Sequence, residues 1–85
     1  VQIFYSTKFI RQHRKLLGVI KFAAKEKELI FINDPFDPVL RTHKLSGELN
    51  GLYAFWIKYK FRIVFKFESE GIVKFYEVGN HDIYE

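Results

Sequence analysis

The sequence predicts an α+β domain: a short N-terminal strand, a helical hairpin, then a three-stranded antiparallel meander, forming one sheet with the helices on one face. Two observations carry this. Apolar residues recur at helical spacing between Thr7 and Ile32, and at alternate positions after Leu52. The helical and strand-like parts are also segregated along the chain, which favours helices gathered on one side of an antiparallel sheet over an interleaved parallel one. At 85 residues the chain is read as one domain, 1–85, with a core just large enough to fold alone.

Each element has its own signal. "VQIFY" is short, apolar and β-prone, and the "ST" after it is a helix-start signal. The first helix is expected over about Thr7 to Leu16. Phe9, His13, Leu16, Ile20 and Ala24 follow at intervals of four, three, four and four, one apolar stripe with His13 on it as a partly buried structural residue. Gly18 interrupts that stripe and splits it into a hairpin, the second helix running from about Val19 to Ile32. "NDPFDP" closes it, because Pro35 and Pro38 cannot continue a helix. "HKLSGELNG" reads as loop or irregular strand entry. The long run "LYAFWIKYKFRIVFKFE" must fold back near Lys58–Lys60, giving strands near 52–58 and 60–68. "SEG" is a tight turn, and "IVKFYEV" is the last strand.

Composition narrows the function. The chain has ten Phe, five Tyr and one Trp but no Cys, so disulfides and thiolate metal sites are excluded. No apolar run reaches membrane-span length and no signal-peptide pattern opens the chain, so a cytoplasmic location is expected. The charge is regional. Residues 1–33 hold seven Lys and Arg against two Glu, and residues 41–62 hold five against one. Two basic regions on so small a domain suit a polyanion, either nucleic acid or an acidic protein segment.

The alternation from Phe61 to Phe67 directs Phe61, Ile63, Phe65 and Phe67 toward the helices, and Arg62 toward the opposite, more open face. The tail after Gly79, "NHDIYE", is expected on that face too, so Arg62, Lys58 or Lys60, His81 and Tyr84 are candidates to converge. Such a set suits metal-free cleavage of RNA. A base must take the proton of the 2′-hydroxyl, a cation must hold the charge growing on the phosphate, and an acid must protonate the leaving oxygen. His81 has the side chain for proton transfer near neutral pH. Arg62 matches two phosphate oxygens, and Tyr84 can stack a base or offer a hydroxyl. His43, between Arg41 and Lys44, is a second proton-transfer candidate. The plainer reading, a solvated strand arginine and a surface tail histidine, stays open on spacing alone. No metal-ligand spacing, Gly-rich phosphate loop or activated serine is present.

The stretch "NDPFDPVLRTHKLSGELNGLYAFWIKYKFRIVFKFE", followed by "VGNHDIYE", resembles the toxins of type II toxin–antitoxin modules in the RelE/ParE superfamily, above all the RelE and YafQ-like branch. The resemblance covers nearly the whole chain and rests on the order and spacing of its pieces. It implies a RelE-like fold and a small basic endoribonuclease that cuts messenger RNA in the ribosomal A site without metal or other cofactor. A cognate antitoxin would hold it inactive by wrapping it with an acidic, partly disordered segment. Carried over by position, Arg62 is the strand arginine on the scissile phosphate, His81 the tail histidine, Tyr84 the C-terminal aromatic and His43 the loop histidine. Lys58 and Lys60 would supply further charge. Arg41, Lys44, Arg11, Arg14, Lys15, Lys21 and Lys25 would face RNA or ribosome. Trp56 and Lys60 stand where YafQ-like members carry a histidine and an aspartate, which leaves the identity of the base open. Two other readings follow from the same resemblance: a ParE-like inhibitor of DNA gyrase, and a catalytically degenerate antitoxin-binding domain.

Overall fold

Strands and helices follow in the expected order in a computed structural model, which describes residues 1–46 and 51–80. They are β1 (Gln2–Tyr5), α1 (Thr7–Arg14), α2 (Gly18–Asn33), a 3₁₀ turn (Pro38–Leu40), β2 (His43–Lys44), β3 (Tyr53–Lys58), β4 (Phe61–Ser69) and β5 (Ile72–Asn80). The five strands make one mixed sheet in the order β1-β5-β4-β3-β2. β1 runs parallel to β5, and the remaining pairs are antiparallel. Alternation alone does not give the parallel pairing, and β2 is a two-residue strand inside a stretch read as irregular.

The alternate residues of β3, β4 and β5 divide as expected. Phe55, Ile57, Ile63, Phe65, Val73, Phe75 and Val78 face the helices and close a core with Phe9, Ala23, Ala24 and Phe31. Phe31 sits at its centre, fully buried. Its ring lies 4.8 Å from that of Phe55, stacked, and 4.9 and 5.4 Å from those of Phe65 and Phe75, edge-on. One α2 residue therefore touches three strands, with ring geometries that aromatic quadrupoles favour. The stripe from Phe9 to Ala24 is also confirmed. His13 is half-buried and stacks on Phe9 at 5.8 Å, as a structural histidine should.

β5 is longer than its neighbour β1, and α1 completes its edge. The β1–β5 register ends at Tyr5 opposite Phe75. Beyond it the Ser6 amide donates to the Phe75 carbonyl at 2.9 Å, and the Ser6 hydroxyl donates to the Tyr76 carbonyl at 2.7 Å. The same Ser6 oxygen accepts from the Phe9 amide and caps α1. Gln12 Oε1 then accepts from the Val78 amide at 2.9 Å, and Lys8 pairs with Glu77 at 2.6 Å. A sheet edge that would otherwise present unpaired groups is thus paired by side chains as far as Val78.

Two predictions follow from the packing. Phe31→Ala should lower stability by about 3–5 kcal/mol, close to the whole margin of a domain this size, which urea denaturation would measure. Burial, first, and then the hydrogen bond and charge of Glu28 push the Tyr5 hydroxyl up to about 12. The folded state therefore holds its proton more tightly than the unfolded chain does. That contribution is complete below pH 10 and is lost as pH rises toward 12. Alkaline unfolding followed by circular dichroism should show this loss in wild type and less of it in Tyr5→Phe.

Candidate nucleic-acid interface

The sheet face away from the helices is assembled row by row from the register. One row runs Trp56, Arg62, Gly79, and the next runs His43, Ala54, Val64, Glu77. Leu45, Ala54 and Val64 make a small second cluster with Leu52 against them. Arg62 lies on this face, as its place in the alternation requires. The expectation that it is open to solvent is not met: it is only 7% exposed, and it is the one charged side chain in the buried class among the described residues. An arginine cannot shed its charge on burial, so a buried one belongs to a built environment and not to a solvated strand face.

Beside Arg62 stands Trp56, half-buried at the end of β3. β2 pairs with β3 only at Tyr53 and Ala54, so the edge of β3 is uncovered by β2 at Trp56. Two cations reach the indole there. Arg41 Cζ lies 4.4 Å and Lys27 Nζ 5.1 Å from the ring centroid, distances at which the ring quadrupole attracts a cation. The Trp56 Nε1–H donates to the Tyr59 carbonyl at 2.7 Å. Lys58 Nζ lies 5.1 Å from the Tyr59 ring, and Lys60 is exposed in the same turn.

Of the residues singled out from sequence, Arg62, Arg41, Lys58 and Lys60 are therefore brought to one end of the sheet. His43 shares the face with Arg62 but lies two strands away, roughly 10 Å across the sheet. Its Nδ1 is 3.0 Å from the Arg41 carbonyl oxygen. Lys44 pairs with Tyr53, so it leaves the sheet on the other face, away from Arg62. Arg11, Arg14, Lys15, Lys21 and Lys25 belong to the helical hairpin and form a second basic surface. His81 and Tyr84 lie outside the described residues. Described chain ends at Asn80, one residue past Gly79, the partner of Arg62. Sequence reasoning passed over Lys27 and Tyr59. Lys27 is in a helix, and only the uncovered β3 edge lets it reach Trp56.

The hairpin carries another surface. Helix α2 buries Ile20, Ala23, Ala24 and Phe31 but leaves Phe22, Leu29 and Ile32 at least two-fifths exposed on its outer side. These three, with Tyr5, Lys21 and Lys25, line much of a groove of about 510 Å³. An apolar groove rimmed by charge marks a protein-binding surface. Among the described residues no helix is long and apolar enough to cross a membrane, and no acidic, histidine or cysteine group could hold a metal ion.

No protein-family model matches the sequence, and no curated protein does. Solved structures do match. YafQ from Escherichia coli is 21% identical, with a TM-score of 0.75 over 96% of this chain and 94% of that one. The toxin–antitoxin complex RelBE2 from Mycobacterium tuberculosis is 21% identical, with a TM-score of 0.77 over 93% and 95%. A YoeB/ParE toxin from Agrobacterium tumefaciens is 12% identical, with a TM-score of 0.80 over 95% and 99%. The chain has the RelE/ParE toxin fold. At these identities the similarity establishes the architecture, and the roles of individual side chains rest on the geometry described above.

Gly79 pairs with Arg62 across the β4–β5 ladder, and on the outer edge of β5 just before it Gln12 pairs the Val78 amide. Gln12→Ala removes the acceptor of the Val78 amide and should cost about 1–3 kcal/mol. Hydrogen exchange should show faster exchange at Val78 than in wild type, with the centre of β4 changed far less.

Proposed function

We propose that this chain is the toxin of a type II toxin–antitoxin module, a ribosome-dependent endoribonuclease that cleaves messenger RNA in the A site and so stops translation. The observation that carries this reading is the buried Arg62, set beside Trp56 and Gly79 on the sheet face opposite the helices, on the fold of the RelE/ParE toxins. A fixed guanidinium stabilises the two non-bridging oxygens of a phosphate as negative charge grows on them. Lys58, Lys60 and Arg41 add positive potential along the strand's path. The 2′-oxygen, once deprotonated, attacks the adjacent phosphorus. The bond to the 5′-oxygen breaks, and that oxygen leaves with a proton, giving a 2′,3′-cyclic phosphate and a 5′-hydroxyl. His81 is the proposed proton-transfer group and Tyr84 the aromatic that orients the substrate, with His43 a further proton-transfer candidate in the adjoining loop.

The partner in this reading is a cognate antitoxin. The apolar groove on α2 suits its acidic, partly disordered segment, with Lys21 and Lys25 beside it for the acidic groups and Glu28 in the lining bonded to the Tyr5 hydroxyl. Arg11, Arg14 and Lys15, exposed at the end of α1, suit ribosomal RNA, and contact of this kind weakens steeply with salt.

Primer extension on messenger RNA from translating ribosomes tests the proposal. Wild type should cut at A-site codons. Arg62→Lys keeps the charge but loses the planar fork, and should cut at least about a hundredfold more slowly, with a thermal melt showing that it still folds. Growth arrest without any cuts in wild type would instead identify a gyrase inhibitor. Absence of both effects would leave an antitoxin-binding domain.

A further inference from the structure

The β3–β4 hairpin turns through Tyr59 and Lys60, and Tyr59 has a φ of 54°, in the left-handed region. Two-residue hairpin turns take glycine, asparagine or aspartate at such positions, because a side chain crowds the following carbonyl. A tyrosine there is unfavourable, and burial does not compensate it, since Tyr59 is 69% exposed. The strain is held from outside: the Trp56 Nε1–H bond to the Tyr59 carbonyl fixes the turn. The other non-glycine residue with positive φ among those described is Arg41, at 52°, and its guanidinium packs on the same indole. Trp56 thus touches both residues, fixing the backbone of Tyr59 and packing against the side chain of Arg41, and Lys27 joins it from α2.

Among the described residues the one ion pair is Lys8 with Glu77, so Lys27, Arg41, Lys58 and Lys60 face no described carboxylate at ion-pair distance. They lie on or beside aromatic rings instead. An exposed ring among cations, on a backbone turn fixed by Trp56 three residues before Arg62 in the chain, is the pattern that grips single-stranded nucleic acid. The cations follow the phosphates while the ring stacks on a base.

We propose that Tyr59 is a stacking platform for a base of the single-stranded RNA substrate, with Trp56 as the positioning residue that holds the platform in its left-handed turn. The inference rests on the RNA-cleaving reading and names how the strand is held next to Arg62. The backbone strain is explained on this view: a glycine would relax the turn and leave nothing for a base to meet.

The test is binding of the full chain to a short, dye-labelled, 2′-O-methyl oligoribonucleotide, which cannot be cleaved, followed by fluorescence anisotropy. Tyr59→Gly should bind about tenfold more weakly while melting at no lower temperature than wild type, because glycine accepts the turn without strain. Tyr59→Phe, which keeps the ring, should stay within about twofold of wild type. Unchanged affinity in Tyr59→Gly overturns the proposal, as does a lowered melting temperature accompanying the loss, which would make Tyr59 structural. Oligo-glutamate that competes with the RNA and loses affinity equally in Tyr59→Gly also overturns it, since the tip would then bind acidic chains and not bases. The two readings fail separately. A-site cuts with Tyr59-independent binding refute the platform alone, and Tyr59-dependent binding without cuts refutes the nuclease alone.

Discussion

The contact of Phe31 with Phe55, Phe65 and Phe75 is what the rest of this structure is built around. One helical side chain meets rings from β3, β4 and β5, so the position of α2 and the spacing of three strands are set together. A small domain has little apolar surface to bury, and large rigid rings extract the most contact from it at little cost in side-chain entropy. The consequence for function is geometric. With the helix-facing side fixed, the alternate residues of the same strands are fixed as well, and these include Arg62 and Trp56.

The second constraint is the edge of β5. A strand that outlasts its neighbour leaves amides and carbonyls without partners, and here Ser6 and Gln12 supply them from the N-cap and the last turn of α1. These contacts join residues about as far apart in sequence as the chain allows. They also pair the outer edge of β5 just before Gly79, which the β4–β5 ladder sets beside Arg62. The first helix therefore has a part in shaping the interface without contributing a side chain to it.

At the interface the physical theme is cations held on aromatic surfaces. A guanidinium or ammonium on an indole or phenol ring keeps its full charge and its remaining donors, whereas one paired with a carboxylate has spent both. Arg41, Lys27 and Lys58 are held in this way, and they remain available to a polyanion. The groove along α2 is a different kind of surface, apolar with Lys21, Lys25 and Glu28 among its lining, on the other side of the sheet from Arg62.

Local pattern alone determined the order of elements, a helical hairpin (broken just before Gly18, which itself opens α2), the turns near Lys58–Lys60 and at Gly71, and the division of β4 into Phe61, Ile63, Phe65 and Phe67 against Arg62 and Val64. These are legible because helix and strand periodicities are written in neighbouring residues, and burial enforces them. The basic character of residues 41–62 was equally plain. The rest depended on contacts between distant parts of the chain. The parallel pairing of β1 with β5 and the pairing of Gln12 with Val78 carry no local signature. Neither does the burial of Arg62, which its exposed-face position in the alternation argues against. Tyr59 gave no turn signal, because a tyrosine in the left-handed region is the opposite of what turn chemistry favours, and only Trp56 explains how it stays there. Sequence settled which residues face together; only the tertiary structure decided which of them meet, because meeting depends on strand order, on where an edge is left uncovered, and on which distant side chain reaches it.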